Sequence, residues 1–196
     1  MWMWIIVACG PKAVTEGPGA SAADYLPLTP GAVWSYEAVF NGRTMAEDRT
    51  VIELDTVSGP AFAFVEVDDV GDRNIHTFTG SFGLGAYRLD GDDVLTADAG
   101  WQDDFSSLTV SDFEPMLPPL QIGQQITYDT PSLDRSGTIT VEAFEDVTVP
   151  AGTFPRSVRL HLGKESYAWL APGVGLVKWV YVTGREESLT AFTPAQ

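Results

Sequence analysis

The sequence predicts an all-β fold: an antiparallel meander that forms a barrel, a half-barrel or a sandwich. After residue 25, apolar residues alternate with polar ones at a period of two rather than 3.6. Nineteen glycines and thirteen prolines are spread between the short alternating windows, as is typical of sandwiches and barrels. No window of helical period carries caps at both ends. We therefore expect roughly ten short strands.

The first half of the chain contains a clear hairpin. Residues 33–40 place Trp34, Tyr36, Ala38 and Phe40 on one face. Asn41-Gly42 follows, and because both residues tolerate a positive φ, the pair predicts a tight turn into the next strand. Further strands are expected at 43–57, 61–67, 73–82 and 84–89.

The second half shows the most regular alternation. In 138–149 one face carries Ile139, Val141, Ala143, Val147 and Val149. Strands are then expected at 157–162, 167–170, 176–183 and 188–192, with a glycine-rich turn at 171–175. In 100–123, by contrast, Pro115, Pro118 and Pro119 exclude a central strand. We expect a long acidic loop there, across one end of the sheet.

A lone cysteine ends a short apolar run at the N-terminus. Cys9 is the only cysteine in the 196 residues, which excludes a disulfide within the chain. Apolar residues before it and Gly10 after it form the pattern that the bacterial lipoprotein machinery cleaves and acylates. The run is too short to span a bilayer, and no Lys or Arg precedes it, so it is a truncated signal at best. An apolar N-terminus with an incidental cysteine is the alternative.

The chain is expected to divide into three parts. Residues 1–8 form the truncated signal-like segment. Residues 9–24 combine the lipid-anchor Cys9 with a flexible tether, since small residues and two prolines predominate there. Residues 25–196 form a single antiparallel β domain, a size that suits one core.

The net charge of −16 restricts the partners. It excludes nucleic acid, whose binding depends on Lys and Arg at phosphates, and electrostatic docking on anionic lipid. Ten carboxylates and no Lys or Arg lie in 89–134. The run from Asp90 to Asp93 offers oxygen ligands for calcium, but ordinary turn chemistry explains it equally well.

No catalytic or metal site is predicted. His76 and His161 each lie in an expected strand, and no His or Cys spacing typical of zinc exists. The carboxylates Asp103 and Asp104 adjoin Trp101 and Phe105, but neighbours in a loop define no glycosidase geometry. We expect no cofactor.

Three segments resemble a group of bacterial envelope proteins. The sequence DYLPLTPGAVWSY at 24–36 resembles their YLPL-x-x-G-x-x-W-x-Y start. VPAGTF at 149–154 and WLAPGVGLVK at 169–178 resemble their second half. Those proteins are uncharacterised lipoproteins or secreted β proteins, including a TapB-like group. The resemblance implies an antiparallel β domain in the cell envelope, with no reaction attached.

Together these features predict a non-catalytic envelope lipoprotein, at the outer membrane or cell surface, that acts as a protein-assembly or binding module. Its partners are expected to be the membrane, through the lipid anchor, and an envelope protein. A carrier of an apolar ligand is the alternative, and a hydrolase or a calcium-dependent binding protein is a more distant one. The carrier hypothesis predicts an interior cavity lined by Phe62, Phe64, Phe78 and Trp179.

Overall fold

The protein is built almost entirely of antiparallel β-strands. The computed structural model describes residues 20–56, 59–67, 73–76, 85–98, 114–130 and 135–195. In chain order the elements of these ranges are α1 (Ala22–Tyr25), β1 (Val33–Phe40), β2 (Arg43–Thr56), β3 (Gly59–Val67), β4 (Arg73–His76), β5 (Gly85–Asp90), β6 (Asp93–Asp98), β7 (Glu114–Leu117), β8 (Gln125–Thr130), β9 (Arg135–Val149), β10 (Gly152–His161), β11 (Tyr167–Ala171), β12 (Gly175–Val180) and β13 (Glu186–Thr193). The predicted all-β class is confirmed.

The strands form one sheet whose order follows the chain. The sheet runs from β7 through β6, β5, β3 and β2 to β1, and then from β13 through β12, β11, β10 and β9 to β8. β4 pairs with β3 beside this path. The first and last strands therefore pair in the middle of the sheet, while the consecutive strands β7 and β8 form its two edges. Within the described residues no ladder joins these edges, so the sheet is an open meander rather than a closed barrel.

Because successive strands alternate in direction, the turns fall at two ends. The near end carries the start of β1, the end of β13 and the turns at 91–92, 118–124, 150–151 and 172–174. The far end carries the turns at 41–42, 162–166 and 181–185.

The strongest local signals predict their elements well. β1 has the expected bounds and buries Trp34, Tyr36 and Ala38 on one face. Asn41 and Gly42 adopt φ values of 51° and 73°, as the predicted turn requires. In β9 the expected inward residues Ile139, Val141, Val147 and Val149 are buried, while Ala143, beside a register shift, pairs with the outward Arg159 and is only half-buried.

The acidic region is more structured than expected. The whole of β7 lies within 100–123, the segment that we expect to be a loop, and β6 and β8 flank that segment. β7 contains Pro115 and, among the described residues, pairs only with β6. An edge strand tolerates proline because the N–H on its free side has no ladder partner to lose. The loop expectation is therefore wrong for 114–117; residues 99–113 lie outside the described ranges.

The start of the folded unit also differs from the expected tether boundary. Residues 20–28, here called the strap, pack against the near end of the sheet. Ala22 and Leu26 are fully buried, and Tyr25 and Leu28 nearly so. One turn of helix, α1, brings these side chains inward. Of the expected tether, residues 9–19 lie outside the described ranges, as does the signal-like segment 1–8.

A single hydrophobic cluster joins the strap to the sheet. Its largest fully buried side chains are Trp34, Trp179, Leu26, Leu117, Leu120, Ile139, Leu160, Leu170 and Leu176. Burying a side chain of this size stabilises the fold by about 1.5–3 kcal/mol, so the cluster ties the near end to both halves of the meander. Among the described residues no helix has the length and apolar character that crossing a bilayer requires.

Candidate binding surface

The sheet carries two clusters of polar side chains, one on its inner face and one on its outer face. The inner cluster lies toward the far end, where β2, β1 and β13 are neighbours. It consists of Glu47, Arg49, Arg185 and Glu187 and is called here the charge ring. Glu47, Arg49 and Glu187 are buried, while the Arg185 side chain is 29% exposed.

In the charge ring each carboxylate bridges both guanidinium groups. Arg49 Nη2 lies 2.7 Å from Glu187 Oε2 and 3.4 Å from Glu47 Oε2. Arg185 Nε lies 2.8 Å from Glu187 Oε1, and its Nη2 donates to Glu47 Oε1. The ring is neutral overall, so its charges compensate one another without solvent.

The register of the sheet assembles this ring. Glu187 and Met45 flank Ala38 in adjacent strands, and Glu47 lies opposite Tyr36. The small Ala38 side chain leaves space for the long side chains of β2 and β13 to meet over β1. Arg49 also stacks over the Tyr36 ring, with its Cζ 4.5 Å from the ring centroid. The ring thus clamps the β12–β13 hairpin to β2.

Two tyrosines beside the ring are held in their neutral form. Burial raises the pKa of the Tyr36 hydroxyl, which donates to the Leu176 carbonyl oxygen at 2.9 Å. Burial also raises the pKa of Tyr181, and the nearby Glu187 carboxylate raises it further. Tyr181 stacks on Trp179 with ring centroids 4.4 Å apart.

The outer cluster is a row of half-exposed side chains that crosses β9 to β13. It is called here the outer row and consists of Glu142, Glu145, Arg159, Trp169, Lys178 and Glu186. Arg159 and Trp169 are directly paired in the β10–β11 ladder, and Trp169 and Lys178 in the β11–β12 ladder. Arg159, Trp169 and Lys178 each alternate along their strands with buried residues, so their side chains lie on the outer face of the sheet.

The members of the outer row hold one another in place. Arg159 Nε lies 2.9 Å from Glu142 Oε2, and the Trp169 indole N–H donates to Glu145 Oε1 at 2.7 Å. Lys178 Nζ lies 5.7 Å from the Trp169 ring centroid and 2.8 Å from Glu186 Oε1. Salt bridges at this exposure contribute little stability individually, but together they fix the indole in one orientation.

A stacked pair of rings extends the aromatic part of this surface. His161 and Tyr167 lie opposite each other in the ladder, with centroids 4.9 Å apart and planes 19° from parallel. Tyr167 is in turn 6.2 Å from Trp169. His161 Nδ1 lies 3.8 Å from Glu142 Oε1. The histidine predicted as an ordinary strand residue is thus part of an aromatic strip on the outer face.

The sequence-predicted site residues are placed as follows. Trp179 is 1% exposed and belongs to the core, and Phe62 is half-buried against the same core. Phe64 lies in β3 opposite Val51. Phe78 and the lipidation residue Cys9 lie outside the described ranges. In the parts of the chain that the structure describes, no group of His, Cys, Asp or Glu suits a metal ion.

Sequence reasoning missed both polar clusters, although each left a signal. Glu47 and Arg49 share the inward face of β2 with Val51, so charges interrupt an apolar stripe. Arg159, Trp169 and Lys178 occupy the polar face of three consecutive strands. Neither signal identifies partners, because those depend on a register that single-strand patterns do not set.

Comparison with known proteins adds only a fold-level similarity. No protein-family model matches the chain, and no curated protein matches it. The crystal structure of a "putative lipoprotein" from Parabacteroides distasonis ATCC 8503 is similar with a TM-score of 0.46 and 16% sequence identity. The similarity covers 91% of this chain and 100% of that chain. At this level it says nothing about activity or partners.

Proposed function

We propose that this protein is a lipid-anchored, non-catalytic module of the bacterial envelope that binds another envelope protein through its outer row. The observation that carries the proposal is the half-exposed strip of Trp169, Tyr167 and His161 between the cations Arg159 and Lys178. Trp, Tyr and Arg are the residues most enriched at binding hot spots.

The arrangement of the rings favours a protein over a sugar as the partner. A sugar stacks on an open aromatic face, but His161 and Tyr167 stack on each other and Lys178 lies over Trp169. The row is also ordered in advance by its own hydrogen bonds, so little side-chain freedom is lost on binding.

The position of the strap supports the lipid anchor. Ala20 is held at the near end of the sheet, and eleven residues lead from Cys9 to it. Eleven residues span at most about 40 Å even when fully extended. An acylated Cys9 would therefore hold the near end within that reach of the membrane, with the outer row facing sideways along it. Intact mass of the native protein tests this: acyl groups on a chain that begins at Cys9 are expected, and an unmodified Cys9 would refute it.

Site-specific photocrosslinking in native membranes tests the docking surface. A photoreactive phenylalanine analogue at Trp169 should give one crosslinked product, while the same group at Thr148, on an exposed part of β9, should not. The crosslinked protein is then purified and its affinity measured. Trp169→Ala should weaken binding at least about 10-fold, and Thr148→Ala should not. Equal affinity for the two variants would refute the outer row as the interface.

A carrier of an apolar ligand is the second candidate. The joint between β7 and β8 favours it, because among the described residues no ladder holds these two strands together beside the apolar interior.

A further inference from the structure

The joint between the two edge strands, β7 and β8, is here called the seam. β8 pairs with β9 at six consecutive positions, and β7 pairs with β6. Between β7 and β8 the described residues form no ladder; the chain crosses from one to the other through 118–124. A joint without ladder hydrogen bonds opens at lower free energy than the rest of a sheet.

The strap lies across this seam. Ala20 N–H donates to the Leu120 carbonyl oxygen at 3.0 Å, and Leu120 N–H donates back to Ala20 at 2.7 Å. The only isolated bridge among the described residues is this pair. Two further backbone hydrogen bonds attach the strap on either side. Ala22 N–H donates to the Asp92 carbonyl oxygen, and Gly173 N–H donates to the Asp24 carbonyl oxygen.

A side-chain bond completes the attachment. The Tyr25 hydroxyl donates to the Arg156 carbonyl oxygen at 2.9 Å. Arg156 has a φ of 54°, in a bulge of β10 that is stabilised by its N–H bond to Asp146. The bulge turns this carbonyl toward the strap. The strap therefore connects the β5–β6, β7–β8 and β11–β12 turns with β10.

Apolar side chains are sealed beneath it. Ala22 and Leu26 of the strap and Leu117 of β7 are fully buried, and Leu120 is 1% exposed. All four belong to the main hydrophobic cluster. Displacing the strap would expose the apolar interior at the seam and would leave the ladders of β9 to β13 intact.

We infer that the strap is the latch of a lateral gate: when residues 20–26 detach, β7 and β8 separate and the apolar interior is exposed at the seam. This inference goes beyond the proposed docking function, since it concerns the strap and the edge strands β7 and β8 rather than the outer row. The latch is also the segment that continues toward Cys9, so a pull on the anchor would act first on the Ala20–Leu120 bridge.

Hydrogen exchange of the full chain tests the latch. Ala22→Asp places a carboxylate at a fully buried strap position, while Ala23→Asp makes the same change at a half-buried neighbour. We expect Ala22→Asp to accelerate exchange of the 117–130 amides at least tenfold, with wild-type protection kept at 158–160 and 168–170. It should also increase the fluorescence of the apolar probe anilinonaphthalene sulfonate. Uniform acceleration across the sheet, or none, would overturn the inference.

A reversible disulfide between the strap and the seam provides a second test if the Ala22→Asp variant does not fold. Ala20→Cys with Leu120→Cys, in a Cys9→Ser background, joins two residues that exchange both backbone hydrogen bonds, a spacing that suits a disulfide. Oxidation should slow exchange at 117–130 at least tenfold and abolish probe binding, and reduction should restore both. Identical exchange in the oxidised and reduced forms would show that the seam does not open through the strap.

Discussion

Arg49 and Glu187 form a buried ion pair across 138 residues of sequence, with Nη2 and Oε2 2.7 Å apart. Both side chains are essentially inaccessible to solvent. The pair links β2 to β13 over β1, in the middle of the sheet where the first and last strands meet. It therefore connects the two halves of the meander.

Removing one partner of this ion pair should destabilise the fold far more than replacing both partners with apolar residues. Arg49→Met leaves Glu187 buried with one cation fewer, and we expect a loss of about 3–5 kcal/mol in the free energy of unfolding. The double variant Arg49→Met with Glu187→Leu restores neutrality and should be more stable than the single one. Urea denaturation measures both. The exposed Arg159→Met is the control, with an expected loss of about 1 kcal/mol or less. A double variant as unstable as the sum of its single changes would contradict this account.

Stability should fall at alkaline pH because of three tyrosines whose side chains are removed from solvent. Burial raises the pKa of Tyr25, Tyr36 and Tyr181 in the folded protein, while an unfolded tyrosine ionises near pH ~10. Because the pKa is higher in the folded than in the unfolded state, these tyrosines contribute stability that is fully present below the unfolded pKa. That stability is lost as the pH rises through the pKa of the folded state.

Absorbance at 295 nm checks this expectation. The ionisation of three of the six tyrosines should coincide with unfolding, as followed by circular dichroism. Tyr181→Phe should remove one of the three delayed ionisations. Titration of all six tyrosines near pH 10 in a folded protein would refute the prediction.

The near-end turn should depend on Gly175 more than on Gly173. Both have positive φ values, 89° and 72°, so a β-branched residue at either costs about 1–3 kcal/mol in backbone strain. A Cβ at 175 would also lie 3.4 Å from Pro27 of the strap, whereas one at 173 meets nothing within 4 Å. Gly175→Val should therefore lower Tm further than Gly173→Val, which serves as the control for strain alone. Equal melting temperatures would show that the contact with Pro27 does not matter.

Salt should stabilise the protein without a requirement for calcium. With a net charge of −16, the folded state is destabilised by repulsion that salt screens over about 10 Å at 0.1 M. We expect Tm to rise with NaCl, and CaCl₂ at equal ionic strength to give the same rise. A calcium-specific increase abolished by Asp92→Asn would instead identify a binding site, since only a ligand of the folded state stabilises it in this way.

The strap and β1 show how far local sequence patterns predict structure. The alternation in 33–40 and the Asn41-Gly42 turn predicted β1 and its hairpin because both signals depend only on adjacent residues. The same reasoning missed α1, since a single turn is too short to show a helical period. It also assigned residues 20–24 to the tether, because small residues indicate flexibility unless a surface elsewhere buries them, as the near end buries Ala22.

The sequence by itself determined the β class, most strand positions and most apolar residues on the inward faces of β1 and β9, because strand periodicity is local and the burial of apolar side chains enforces it. Only the tertiary structure decided which strands pair, and with that everything that depends on distant partners. The charge ring needs β1 to pair with both β2 and β13, and the outer row needs five strands in register. The seam exists because the order of the sheet places β7 and β8 at its edges. None of these can be read from one strand, since each joins residues whose contact is set by the packing of the whole sheet.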